Sequence, residues 1–253
     1  MNKPIILIPV YNHEVGIVRV VKAVLALNMP CILVNDGSNA SCSAILIQLQ
    51  AEHPHRIHLF QHTVNQGKGA AISTGLRAAL ELGYSHALQV DADGQHDLND
   101  ITFFFACSEK NPEALICGVP VYDSSVPKHR YYSRYLTHIW VWINTISLRI
   151  IDSMCGFRVY PVQPIIELLD KQHLFSRMSF DTEVLVRADW ANIPIINCPI
   201  KVHYPEDGVS HFLAVKDNVL ISLMHARLFF GMLLRSPKLL WRCFSDPVKY
   251  AER

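Results

Sequence analysis

The chain has 253 residues and a mass of 28.7 kDa; half of the residues are hydrophobic and only 18% are charged. That balance excludes a disordered, collagen-like or coiled-coil chain and suits one compact domain. A formal charge of +1 leaves no global basic field to draw in nucleic acid. The charge is uneven, however: residues 1–211 carry 16 basic and 19 acidic groups, and residues 212–253 carry 7 and 3. The seven cysteines are odd in number and lack a Cys-x-x-Cys pair, so buried reduced thiols of a cytoplasmic protein are expected. No apolar run approaches the ~18 uninterrupted residues of a membrane span, and none is expected.

In chain order, Ile5–Val10 is a buried-strand run and Val15–Leu27 has helical spacing. Strands follow at Cys31–Val34, Ile57–Gln61, His86–Val90 and Ala114–Val119. Helices fall between them at Ser41–Ala51, Gly69–Leu82 and Leu98–Ser108. Strands separated by helical segments indicate βαβ units, hence a mostly parallel sheet covered on both faces. Beyond residue 120 come a loop (120–130), a long helix (131–151), an extended piece at Gly156–Tyr160 and short helices at Pro164–Leu169 and Phe180–Trp190. Pro194 and Pro199 mark Ile193–Tyr204 as an edge strand. Two C-terminal helices, Leu213–Phe230 and Pro237–Phe244, complete the reading. The expected division is residues 1–212 as the catalytic domain and 213–253 as a basic amphipathic tail.

Ligands on such sheets bind at the carboxyl ends of the strands. The first end reads Pro9-Val10-Tyr11-Asn12-His13-Glu14 and the second Asn35-Asp36-Gly37-Ser38. After the third comes Asn65-Gln66-Gly67-Lys68-Gly69, a helix start whose free N–H groups suit an anion. A P-loop is excluded, because His62 stands where its first glycine belongs and Gly69 where its Ser/Thr belongs. The fourth strand ends in Asp91-Ala92-Asp93-Gly94-Gln95. Two carboxylates released so close together repel unless a cation compensates. Their hard oxygens suit Mg²⁺ or Mn²⁺, with Gln95 as a further carbonyl ligand.

In order and spacing these four motifs resemble those of the family 2 glycosyltransferases, in particular the dolichyl-phosphate mannose synthase-like branch, over roughly residues 4–210. The resemblance implies a GT-A fold, a nucleotide-diphospho-sugar donor and an inverting transfer. It implies that Pro9, Tyr11 and Glu14 with Asp36 hold the nucleoside. It further implies that Asp91, Asp93 and Gln95 hold the metal on the diphosphate, with Lys68 close by. Asn35 departs from the Asp that the family often has there. Asp152-Ser153-Met154-Cys155-Gly156-Phe157-Arg158-Val159-Tyr160 is similar to the family's glycine–aromatic–arginine segment, so Arg158 is expected near phosphate. Phe180-Asp181-Thr182-Glu183 matches the position of acidic acceptor-site residues; Asp181 is expected to face the site and Glu183 to be solvated or capping. The run from His203 to Phe212 lies where the synthases carry an arginine loop, yet it has no arginine.

Along 213–244, apolar residues such as Leu220, Leu223 and Leu234 alternate with Lys216, Arg227, Arg235, Lys238 and Arg242 beside Trp241, as in a helix at a membrane surface. A lipid-linked acceptor would make that contact useful. A polyprenyl phosphate is already anionic and needs no general base, whereas a hydroxyl acceptor would call on Asp181. The expected reading is thus an inverting, metal-assisted glycosyltransferase peripheral to the cytoplasmic membrane face, with Asp93, Lys68 and Asp181 catalytic. The alternatives are a non-catalytic nucleotide-sugar-binding protein at the membrane surface or a sugar nucleotidyltransferase. The latter would want a Gly-rich, Arg-containing first loop, which Tyr11-Asn12-His13-Glu14 is not.

Overall fold

A computed structural model describes residues 3–121, 128–202, 214–245 and 247–251. Seven strands form one sheet in the order β3-β2-β1-β4-β6-β5-β7. They are β1 (Pro4–Val10), β2 (Cys31–Asp36), β3 (Ile57–His62), β4 (His86–Gln89), β5 (Leu115–Val121), β6 (Arg158–Pro161) and β7 (Ile195–Lys201). The first four are parallel in the register that βαβ units impose, with Ile6 beside Cys31 and Leu88. β6 enters antiparallel between β4 and β5, and β5 is parallel to β7. The expected edge strand is therefore the edge. Its Asn197 pairs in turn with a C-terminal segment, donating its N–H to the Lys249 carbonyl and accepting from the Ala251 N–H, both at 3.0 Å.

Among the described residues, eight α-helices cover the faces: α1 (Glu14–Ala26), α2 (Ala40–Glu52), α3 (Lys68–Glu81), α4 (Ile101–Lys110), α5 (Lys128–Thr145), α6 (Val162–Lys171), α7 (Phe180–Trp190) and α8 (Ala214–Ser245). Leu7, Ala87 and Tyr160 point with α3, α6 and α7 into one core. Ile6, Leu88 and Val159 point with α1 and α4 into the other. That division follows from the period of two along each strand.

α7 lies between sheet and outer helices, and all eleven of its residues are buried. A helix with no solvent face must pair every charge it carries. Glu183, expected to be solvated or capping, is instead fully buried. It accepts from Arg187 Nη2 at 2.7 Å and from the Phe175 N–H at 2.7 Å. Asp189 holds Arg149 Nε at 2.9 Å and Arg242 Nη2 at 3.5 Å.

The C-terminal segment differs from the expected pair of helices. α8 runs unbroken through Pro237. Proline lacks the N–H that the Leu233 carbonyl would accept, and the Ser236 hydroxyl takes its place at 2.9 Å. Met224, Leu228, Met232 and Leu239 bury one face of α8, while Leu234, Trp241 and Phe230 stay exposed. Within the 27 residues Asp217–Cys243 an 18-residue segment reaches a mean hydropathy of 1.4, so the helix is long and apolar enough to cross a membrane, a property that a search for uninterrupted apolar runs passes over. α5 ends at Thr145, short of the expected 151, as the chain turns through Ile146 at φ 48°.

Asp189 joins α7 to α8 and to the segment after α5, so Asp189→Ala takes the carboxylate away from two buried guanidinium groups. The expected cost is about 3–5 kcal/mol in urea unfolding. A loss under ~1 kcal/mol would show that α8 is not anchored there.

Candidate active site

The carboxyl ends of β1 and β2 are stitched together. The Asn12 N–H donates to Ser38 Oγ at 3.1 Å, and Asn12 Oδ1 accepts from the Asn39 N–H at 2.8 Å. Asn12 adopts φ 53°, which its side chain tolerates. Glu14 Oε1 accepts from Asn39 Nδ2 and Ser41 Oγ, both at 2.9 Å. The bond from Asn39, aided by the helix-start N–H and Ser41, holds this carboxyl below its ordinary range. Pro9 is buried within β1 beside Val34, and Tyr11 is half-buried where the strand ends. Pro9, Tyr11, Glu14 and Asp36 are thus neighbours at one end of the sheet.

Asp36 does not face outward as a nucleoside ligand would. Its Oδ1 meets His62 Nδ1 at 2.7 Å and the Gln66 N–H at 2.9 Å. Its Oδ2 accepts from Asn65 Nδ2 at 2.9 Å and the Gly67 N–H at 2.8 Å. Four donors fill the acceptor positions of a carboxylate. Asp36 therefore shapes the loop that launches α3, and in this structure its carboxylate is taken up by that loop and by His62. Gly67 takes φ 104° there, with a would-be Cβ only 2.6 Å from the Ser176 carbonyl, so only glycine fits.

That loop delivers Lys68. Its ammonium lies 2.8 Å from Asp91 Oδ1 at the end of β4 and 2.9 Å from Asp181 Oδ2 at the start of α7. Burial alone would lower the lysine, but Asp181 and Asp91 together hold it above its ordinary value. Burial likewise would raise Asp91; Lys68, then His96, bring it down to about 2. Asp93 goes the other way, pushed up by burial and by the charge of Asp91. Its Oδ1 accepts from the Gln95 N–H at 3.0 Å across a turn in which Gly94 has φ 72°.

Asp91, Asp93, Gln95 and His96 line one cleft with Arg134, Met154 and Gly156. Among the described residues, no group of three His, Cys, Asp or Glu side chains forms a closed metal cage. Two carboxylates and an amide oxygen beside an open cleft nevertheless fit Mg²⁺ or Mn²⁺, which take few protein ligands and complete their shell with water and substrate phosphate. Lys68 compensates Asp91, while burial and the Asp91 charge disfavour the ionised form of Asp93.

Arg158 also departs from expectation. It is wholly buried on β6, donating to the Asp181 carbonyl through Nη1 and to the Ser153 carbonyl through Nη2 at 2.8 Å. It braces Asp181 from beneath and does not line the cleft. The arginine that does is Arg134 of α5, bidentate to Asp152 at 2.7 Å for both bonds. Asp152 in turn accepts the N–H groups of Met154 and Cys155 at 2.9 and 2.7 Å. This sets the strand-entry loop so that Gly156 lies under Asp91. Arg134 gives no signal in a segment that reads only as a long helix. Gln89 was passed over too, although an amide in an otherwise apolar buried strand is a signal in itself. The run from His203 to Phe212 lies outside the described residues.

The sequence profile of glycosyl transferase family 2 matches residues 5–165, and the chain belongs to that family. It is 26% identical over 218 residues to an uncharacterised protein of Methanocaldococcus jannaschii (84% of this chain, 93% of that one). It is 26% identical over 244 residues to the UDP-N-acetylglucosamine–dolichyl-phosphate N-acetylglucosaminyltransferase of Methanococcus voltae (90% and 94%). The dolichyl-phosphate beta-glucosyltransferase of Dictyostelium discoideum is 27% identical over 212 residues, covering 75% of this chain but 63% of that enzyme. Among solved structures, the mannosyltransferase PcManGT from Pyrobaculum calidifontis in complex with GDP-Man and Mn²⁺ superposes with a TM-score of 0.55 at 14% identity, over 92% of this chain and 64% of that one. S. aureus TarS 1-349 in complex with UDP-GlcNAc gives 0.55 at 15%, over 89% and 66%. The fold is GT-A, and the protein is a glycosyltransferase of the dolichyl-phosphate mannose synthase-like branch.

Two substitutions test the geometry. A Cβ on Gly156 would stand 2.5 Å from Asp91 Oδ2; Gly156→Ala is expected to displace that carboxylate and cost at least ~10-fold in sugar transfer. Parent-like transfer would mean that the position of Asp91 is not critical. Asp36→Ala leaves two loop N–H groups without acceptors and is expected to cost about 2–3 kcal/mol in urea unfolding. Unchanged stability together with weakened nucleotide binding would restore Asp36 as a nucleoside ligand.

Proposed function

We propose that this chain transfers a sugar, with inversion, from a nucleotide-diphospho-sugar to a polyprenyl phosphate at the cytoplasmic membrane surface. The observation that carries the reading is the seat of Lys68. Its ammonium is held by Asp91 and Asp181 at the edge of the cleft that Asp93 lines, beyond the strand ends where nucleotides bind in open α/β sheets. Support comes from relatives named for transfer to dolichyl phosphate and for polyprenol monophosphomannose synthesis.

In this reading Pro9, Tyr11 and Glu14 receive the nucleoside. Asp91, Asp93 and Gln95 hold Mg²⁺ or Mn²⁺, which when bound neutralises diphosphate charge. An ammonium has three hydrogens, and Asp91 and Asp181 take two from Lys68. The third is directed to an oxygen of the departing diphosphate, where charge grows most in the transition state. The acceptor phosphate attacks the anomeric carbon from the opposite face without a general base. Asp181 then holds Lys68 and has no proton to take. Arg134 meets phosphate from the cleft wall, the part expected of Arg158.

The membrane contact rests on α5 and α8. These helices carry a single acidic residue between them, Asp217, and it is buried. Trp140 packs on Phe229 across the pair, while Leu136, Phe230, Leu234 and Trp241 remain exposed. An apolar, aromatic and acid-free face fits anionic lipid. None of the seven cysteines forms a disulfide, in keeping with a reducing compartment. In this account residues 213–253 are a tail that docks on the catalytic domain with one face and on lipid with the other.

Asp93→Asn keeps size but removes a charge, and transfer is expected to fall at least ~10-fold with a higher Mn²⁺ requirement. Asp97→Asn, at a residue that accepts from the Asn99 N–H at 3.0 Å, is the control and is expected to lose about 1 kcal/mol or less. Equal transfer by the two variants would remove Asp93 from the site. For the membrane face, the double variant Leu234→Ser, Trp241→Ser is expected to float poorly with anionic vesicles, and salt to release part of the parent. Undiminished flotation would place lipid contact elsewhere.

A further inference from the structure

Beneath the Lys68 ion pair lies a polar layer that neither the metal nor the donor reading uses. Gln89 is completely buried, the last residue of β4, with Leu7 beside it on one strand and Arg158 on the other. By the period of two, its side chain shares a face with Ala87 and points toward α3 and α7. The Tyr160 hydroxyl donates to Gln89 Oε1 at 2.9 Å. The amide nitrogen lies 3.4 Å from Asp91 Oδ1 and 3.5 Å from Asp181 Oδ1. Both carboxylates only accept, so they fix the amide with its nitrogen toward them and its oxygen toward the phenol. Burial pushes the Tyr160 hydroxyl well above its ordinary range, which keeps it a donor.

Two carboxylates from elements 90 residues apart in the chain are thus held by one ammonium and, from below, by one amide. A leucine or methionine would fill the same volume at lower desolvation cost, so packing alone does not account for an amide at this depth. We infer that Gln89, oriented by Tyr160, is a positioning residue that sets the separation of Asp91 and Asp181 and thereby the seat of Lys68. The inference rests on the proposed transfer reaction and adds to it a layer of control outside the cleft.

The test compares Gln89→Met, which keeps volume and loses all three polar contacts, with Tyr160→Phe, which keeps the ring and loses only the hydroxyl. Each is measured for sugar transfer to polyprenyl phosphate, donor KM and melting temperature, using the full chain in vesicles. Gln89→Met is expected to lower kcat by about 10–100-fold, the range for outer-shell partners, with donor KM within twofold and melting within a few degrees. Tyr160→Phe is expected to fall between that variant and the parent. A purely structural role would lower the melting temperature and leave kcat per folded molecule unchanged, and that result would overturn the inference. So would parent-like kcat in Gln89→Met. A parent chain that transfers no sugar from any donor would overturn the reaction itself and this inference with it; an active parent with an active Gln89→Met would overturn the inference alone.

Discussion

The ion pair of Lys68 with Asp91 and Asp181 is the contact on which the rest of the site depends. It joins the ends of three elements at the cleft: the loop into α3, the end of β4 and the start of α7. Each partner is supported by a separate device. Asp36 fixes the lysine's loop through four hydrogen bonds, Gly156 makes room for Asp91, and Arg158 grips the main chain of Asp181. Like charges at Asp91 and Asp93 are tolerable because the ammonium already offsets one of them. The net result is a cleft lined by Asp91 and Asp93, with the Lys68 ammonium held against Asp91.

Much of this was legible in the chain alone. The sheet followed from strand and helix alternation, and the site from polar turns at successive strand ends. What stayed hidden was direction. Asp36-Gly37-Ser38 reads the same whether its carboxylate faces a ligand or its own loop; only the number of donors around it decides. Arg158 sits on a strand buried on both faces, and a short strand among loops does not reveal that it lies in the middle of the sheet. Helical geometry points Asp181 and Glu183 in different directions, yet it leaves Glu183 solvated or capping because nothing local shows that α7 is enclosed on every side. Glu183 needs Arg187 and Asp189 needs Arg149 and Arg242 for that reason.

The C-terminal segment shows how a single residue misleads. Pro237 reads as a break between two helices, but Ser236 directly before it takes over the carbonyl that proline leaves unpaired, and α8 continues. Continuity matters to the proposed function. One long helix carries anchoring residues such as Met232 and Arg242 on its inner face and Leu234 and Trp241 on its outer face. A catalytic domain held at a bilayer in that way presents its cleft to an acceptor confined to two dimensions, which raises the local concentration of the acceptor phosphate.

The most direct test is transfer itself. The full chain would be mixed with anionic vesicles containing polyprenyl phosphate, Mn²⁺ and, in turn, each of a panel of radiolabelled nucleotide sugars, and the label then partitioned into organic solvent. The account predicts that at least one donor yields a lipid-extractable product, and that Lys68→Met abolishes it while leaving the protein folded. Label that stays in the aqueous phase with every donor, or a Lys68→Met variant as active as the parent, would contradict it.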